Sequence, residues 1–112
     1  MKLDTLAVHA GRQIDSATGA VTPPIHLSTT FERGADGNYA RGLIYTRTNN
    51  PTTAALEEKL AALEGAESAI ASASGMSAIS AGLLAHLKSG DHLIVADDLF
   101  IGTQMMFEGD FP

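Results

Sequence analysis

The pattern of hydrophobic and polar positions changes near residue 50. Across residues 1–50 the apolar side chains keep neither a helical nor a strand period. Breakers are spread through this half: Gly11, Gly19, Pro23, Pro24, Gly34, Gly37 and Gly42. Pro23-Pro24 imposes extended backbone on its neighbours. This half reads as an arm with little regular structure, and an arm without a core of its own must pack on another surface or stay mobile.

From residue 51 onward the pattern is regular. Asn50-Pro51 is a helix start, with Asn as N-cap and Pro at the first helical position. Leu56, Leu60 and Leu63 then share one helical face, and Gly65 is a natural C-terminal stop. Ser68 to Ala73 is a short run of small and apolar residues that predicts a buried strand. After Ser74-Gly75 a second helix carries Met76, Ile79, Leu83 and Leu87 on one face and ends at Ser89-Gly90. His92 to Ala96 predicts a second buried strand, closed by Asp97-Asp98, and a third helix begins near Ile101. Helix, strand, helix, strand implies an α/β arrangement with a parallel pair and a right-handed crossover.

Composition narrows this picture. Of the 112 residues 45% are hydrophobic and 18% charged, which is globular rather than disordered. Only 5% are aromatic, and none lies between Tyr45 and Phe100, where Ala dominates. Ala buries little area, so a free-standing domain of this length would be expected to carry more large side chains. The net charge of −6 disfavours nucleic acid and anionic membrane surfaces as partners. No apolar run approaches the roughly 20 residues of a membrane span, and the N-terminus lacks a secretory layout. With no Cys, disulfide scaffolds and Cys-type metal sites are excluded, and a reducing cytoplasm is the simplest location.

Several positions carry candidate chemistry. The turn Ser72-Ala73-Ser74-Gly75-Met76 leads into a helix N-terminus, where unpaired N–H groups and the helix dipole favour an anion. From pattern alone an ordinary cap by Ser74 is the simpler account. Tyr45-Thr46-Arg47 offers a planar guanidinium and a phenol to a phosphate, although a solvated Arg beside a half-buried Tyr explains it as well. His9, His26, His86 and His92 lack metal-ligand spacing. Glu57 and Glu58 are adjacent on a helix and point to different faces, which argues against a catalytic pair. Asp97-Asp98 closes a strand at the end where α/β folds place ligands, but a turn role is the simpler one.

Taken in order, these segments resemble the Cys/Met-metabolism family of pyridoxal-phosphate enzymes. The stretches that carry the resemblance run from Thr5–Gly11 through Gly19–Ile25, Ser28–Phe31, Tyr45-Thr46-Arg47, Asn50-Pro51-Thr52 and Leu60–Gly65. They continue through Ala73–Met76, Gly90-Asp91-His92, Asp97–Phe100 and Gly102-Thr103, covering roughly residues 4–103. The resemblance implies the N-terminal part of a fold-type-I pyridoxal-phosphate-dependent transferase. Residues 1–50 would be an arm that crosses to a neighbouring subunit, and residues 51–112 the truncated start of the large cofactor-binding domain. It implies pyridoxal 5'-phosphate as cofactor. Tyr45 and Arg47 would reach the phosphate of a neighbouring subunit, Gly75 and Met76 would offer backbone N–H groups to the phosphate of their own, and Phe100 would stack on the pyridine ring. It also implies an amino-acid substrate, a homoserine ester or sulfur amino acid, and a homo-oligomer built as a dimer of dimers.

Three departures from the family pattern stand out. Asn49 replaces a Gly before Asn50-Pro51, a substitution that tolerates the same backbone. Phe100 replaces the usual Tyr and so cannot exchange a proton. The Schiff-base lysine of the family lies further downstream, and Lys2, Lys59 and Lys88 match none of its positions. The expectation is therefore a transsulfuration enzyme, working by γ-replacement or γ-elimination, present here as a fragment. Alone it would bind the cofactor weakly and catalyse nothing. The alternative is a non-catalytic remnant that packs on a full-length paralogue.

Overall fold

The computed structural model describes residues 2–110. The chain divides into two compact units, Met1–Ala71 and Ser72–Pro112.

In the first unit, α1 (Leu3–His9) is followed by a long irregular segment and then α2 (Pro51–Glu64). The sequence pattern does not announce α1, which has seven residues and no buried side chain. A helix that short is marginal alone. Asp4 in its first turn and His9 in its last suit the helix dipole, and packing against α2 holds it. That packing depends on Gly11. Its φ is +64°, and a Cβ there would lie 2.6 Å from the Ala55 carbonyl oxygen and 3.0 Å from the Lys59 backbone nitrogen.

The rest of the arm is irregular, as its breakers predict. Its turns are closed by side chains. The Asp15 carboxylate accepts from the Ala17 and Thr18 amides, and Asp36 accepts from the Asn38 amide. Those bonds stabilise the charged form, so both carboxyls sit below their ordinary range. A lone antiparallel bridge pairs Thr30 with Tyr45.

α2 has the ends its sequence predicts. The Asn50 side chain accepts from the Thr52 amide, Pro51 follows, and Gly65 closes the helix in the left-handed region at φ +66°. The Glu57 carboxylate accepts the Ala71 amide at 2.8 Å while Glu58 is exposed, so the two adjacent acids do face different ways.

In the second unit, α3 (Gly75–His86) is followed by α4 (Ile101–Met105), which runs into a π-helical turn (Met106–Asp110). Ser74 and Ser77 form a reciprocal capping box at the start of α3. Met76, Leu83 and Leu87 are half-buried along the predicted face. Among the described residues of this unit, Thr103 and Met106 are the buried ones.

The expected parallel pair of buried strands is not formed. Neither residues 68–73 nor residues 92–96 carry a ladder, and Ile70 is 87% and Ile94 97% exposed. A strand exists only through its partners, and two strands without a covered face are marginal. The Ala71 amide, which a ladder would use, goes to Glu57 instead.

The two helix faces are likewise thinly covered, with Leu56 49% and Leu60 42% exposed on α2 and Ile79 40% exposed on α3. The chain exposes 9084 Å². A folded monomer of 11.6 kDa would expose about 5,800 Å². The excess is surface that this chain does not cover with its own residues. No helix among the described residues is long and apolar enough to cross a membrane.

Two glycines with the same backbone hand give a test of the α1–α2 contact. Gly65 is left-handed but nothing lies within 4 Å of a Cβ there. Gly65→Ala should therefore cost only the left-handed penalty of about 1–2 kcal/mol. Gly11→Ala should cost clearly more, because the atoms it meets are backbone. Urea unfolding of both variants measures the difference, and equal losses would refute the close approach at Gly11.

Candidate functional site

Of the residues the resemblance assigns to the cofactor, Tyr45 and Arg47 belong to the first unit and Gly75, Met76 and Phe100 to the second.

Tyr45, Thr46 and Arg47 sit on a tight turn. The Tyr45 carbonyl accepts from the Thr48 amide at 2.9 Å, the Asn49 amide at 3.1 Å and the Thr48 hydroxyl at 2.7 Å. The Thr46 amide donates to the Thr29 carbonyl at 2.9 Å, which ties the turn to the preceding arm. The Arg47 guanidinium lies 5.0 Å from the centroid of the Tyr45 ring. Such a cation–π contact at an exposed site is worth about 0.5–1 kcal/mol and pre-orients the fork. Arg47 is exposed and Tyr45 half-buried.

What holds this turn is Asn50, which sequence reasoning identifies only as a cap. Its side chain is 6% exposed. While Oδ1 accepts from the Thr52 amide at 2.9 Å, Nδ2 donates to Thr46 Oγ1 at 2.9 Å and to the carbonyls of His26 at 3.3 Å and Ser28 at 3.5 Å. The His26 amide in turn donates to Thr52 Oγ1 at 2.9 Å. One amide side chain thus joins the arm, the Tyr45–Arg47 turn and the start of α2. No sequence pattern signals this, because the partners are 22 and 24 residues away.

The start of α3 leaves a specific pair of donors. Four N–H groups at a helix start lack intrahelical partners. The Ser77 amide donates to Ser74 Oγ at 3.2 Å, and the Ala78 amide donates to the Ser74 carbonyl at 3.1 Å. Among the described residues the Gly75 and Met76 amides have no acceptor. Space is open around Gly75, with nothing within 4 Å of a Cβ built there.

Phe100 stands at the N-cap position of α4, 66% exposed, and its carbonyl accepts from the Thr103 and Gln104 amides at 2.9 and 3.2 Å. The resemblance includes Gly102-Thr103 among its stretches but gives Thr103 no role. Thr103 is buried, and its hydroxyl donates to Met76 Sδ at 3.6 Å, which links α4 to the first turn of α3. Ser80 Oγ donates to Met106 Sδ at 3.3 Å and adds a second link between these elements. Asp97-Asp98 forms a bend, with the Leu99 amide donating to the Asp97 carbonyl at 3.2 Å. No group of three or more His, Cys, Asp or Glu among the described residues is placed to hold a metal ion.

A helix start with two open amides, followed by an aromatic ring presented at the next helix start, is the kind of site a phosphorylated aromatic ligand would use. The chain matches the family described as "Cys/Met metabolism PLP-dependent enzyme" over residues 4–112, and it belongs to that family. The match continues past Thr103, where the recognisable motifs stop. The cofactor of this family is pyridoxal phosphate. Cystathionine gamma-synthase of Mycobacterium tuberculosis (strain ATCC 25618 / H37Rv) is 46% identical over 107 residues, which are 96% of this chain and 28% of that protein. Cystathionine gamma-lyase of Homo sapiens is 45% identical over 105 residues, 92% of this chain and 25% of that protein. The crystal structure of metB from Corynebacterium glutamicum superposes with a TM-score of 0.88 at 39% identity, covering 96% of this chain and 28% of that one. The chain therefore spans between a quarter and a third of the length of these relatives.

Asn50 supplies the test of the arm's attachment. Asn50→Asp keeps a good N-cap for α2. It replaces the Nδ2 donor with an acceptor that faces two carbonyls and so loses the arm. It should cost about 1–3 kcal/mol and expose residues 26–46 to limited proteolysis while leaving α2 helical. Circular dichroism and the cleavage pattern separate the two effects. An Asp variant as protease-resistant as the parent would refute the pinning role.

Proposed function

We propose that residues 1–112 are the opening part of a pyridoxal-phosphate-dependent transsulfuration enzyme, which carries out γ-replacement or γ-elimination on an activated homoserine or a sulfur amino acid. The observation that carries this reading is the pair of acceptor-free amides at Gly75 and Met76, in a chain that belongs to a pyridoxal-phosphate-dependent family.

The residues present fit the cofactor's phosphate. Gly75 leaves room for close approach, and the capping box uses the Ser77 amide and the first intrahelical bond the Ala78 amide, which leaves the Gly75 and Met76 amides. An anion there also meets the positive end of α3. In this reading Gly75 and Met76 hold the phosphate of their own subunit. Tyr45 and Arg47, stiffened by their mutual contact and by Asn50, hold that of a neighbouring subunit through an arm formed by residues 1–50. Phe100 presents its ring to the pyridine face. Residues 51–112 begin the large domain. The uncovered faces of α2 and α3 and the unpaired segments 68–73 and 92–96 are surfaces that the remainder of the fold and the neighbouring subunit would cover, in a homo-oligomer.

When bound, pyridoxal phosphate supplies an electron sink for carbanion chemistry at an amino acid. The groups of this chain bind and orient. None of its three lysines, Lys2, Lys59 and Lys88, belongs to the proposed site. The complete chain should therefore bind pyridoxal phosphate at least tenfold more tightly than pyridoxal, which lacks the phosphate. Equal affinity for the two would overturn the assignment of the α3 start.

Two substitutions test the individual roles. Arg47→Ala removes a charge-assisted contact, typically worth about 1.5–3 kcal/mol, and should weaken cofactor affinity roughly ten- to a hundredfold. Because the site is proposed to be shared between subunits, dilution should have the same effect. Unchanged affinity on cofactor titration removes Arg47 from the site. Phe100 can stack but cannot move a proton, and general acid–base help is typically worth about 10²–10⁴-fold. In a completed enzyme that carries the Schiff-base lysine, Phe100→Tyr should therefore raise turnover with cofactor affinity nearly unchanged. Equal steady-state turnover of the two forms would show that the phenol is irrelevant here.

A further inference from the structure

We infer that Gly102 is a positioning residue for the Phe100 ring, an assignment that rests on the reading of Phe100 given above. Gly102 lies inside α4, where it has no left-handed backbone to justify it. Gly102 is the second residue of a five-residue helix, and at helical backbone angles glycine loses more conformational freedom than alanine. Conformation therefore argues for Ala at this position, and the reason for Gly must be space. A Cβ at 102 would lie 2.8 Å from Phe100 Cε1, 3.3 Å from Phe100 Cδ1 and 3.2 Å from Met76 Sδ. The ring edge and the thioether both occupy the volume that a side chain at 102 would fill. Met76 Sδ is held in turn by the Thr103 hydroxyl at 3.6 Å. Gly102 thus lets the ring settle beside the side chain of the residue whose amide is proposed to hold the phosphate. The distance between the phosphate-binding amides and the stacking ring is set at this contact. The obstructing atoms belong to side chains, so a methyl at 102 displaces the ring rather than breaking the backbone. Gly82 is the internal control: it is also helical, in α3, and nothing lies within 4 Å of a Cβ there.

The test uses the complete chain with 4-fluorophenylalanine at position 100. Gly102→Ala should shift the fluorine resonance without cofactor. With pyridoxal phosphate bound it should change the induced circular dichroism of the cofactor, while inorganic phosphate binds as before. Gly82→Ala should do neither. A Gly102→Ala form with parental fluorine and dichroism signals overturns the inference, provided that Phe100→Leu does alter the dichroism. If Phe100→Leu is silent as well, the stacking role of Phe100 falls and the inference falls with it. Should Gly102→Ala fold poorly, the same question is answered by adding Phe100→Leu. In that background the methyl should be tolerated and the loss recovered, because coupled neighbours are non-additive. Additive losses would overturn the inference.

Discussion

The first unit depends on the Asn50 carboxamide. A primary amide has one acceptor and two donor hydrogens, and here both ends are used. The acceptor caps α2, while the donor side reaches the arm at residues 26 and 28 and the turn at Thr46. A buried amide left unsatisfied costs about 1–3 kcal/mol, so this arrangement forms whole or is strongly penalised. Without it the arm would keep the α1–α2 contact at Gly11 and the bond from the His26 amide to Thr52 Oγ1. The Tyr45–Arg47 turn would lose its base. A chain with this little buried apolar surface relies on directional polar contacts where a larger core would use packing.

The second unit solves the same problem with softer groups. Thr103 and Ser80 hydroxyls donate to the thioethers of Met76 and Met106. Sulfur is a weak acceptor, but methionine is flexible enough to bring it to the donor. The Thr103–Met76 contact joins the starts of α4 and α3, and helix starts are where open amides are found. The capping box at Ser74 and Ser77 satisfies some donors and leaves the Gly75 and Met76 amides open, so capping stabilises α3 and selects the amides available to a ligand.

The exposed area gives the balance between the chain and its surroundings. About 3,000 Å² more is in contact with water than a folded monomer of this mass would show. Ile70 and Ile94, on segments with the composition of strands, are almost fully exposed. Their β-branched side chains favour a pleated surface, but that preference is realised only against neighbouring strands. Propensity and exposure disagree at these two segments, because neither has a neighbouring strand among the described residues.

Three helix ends were legible residue by residue, whereas α3 stops at His86, ahead of the expected Ser89-Gly90. Asn50-Pro51, Gly65 and Ser74 each act through a backbone group within three or four residues, so their chemistry is local and needs nothing from the rest of the fold. The leucine spacing of α2 and the methionine-to-leucine face of α3 were readable for the same reason. The ordered motifs marked the family and, through it, the five candidate cofactor residues. Tertiary structure decided what depended on distant partners. α1 stands where the pattern showed only an arm, because Gly11 lets it approach α2. Asn50 became a junction because the chain returned to it from residues 26 and 28. The two predicted strands stayed unpaired, since a ladder is a relation between segments and no run of residues can supply its own partner. Gly102 showed its purpose only when Phe100 and Met76 came to lie in the space beside it.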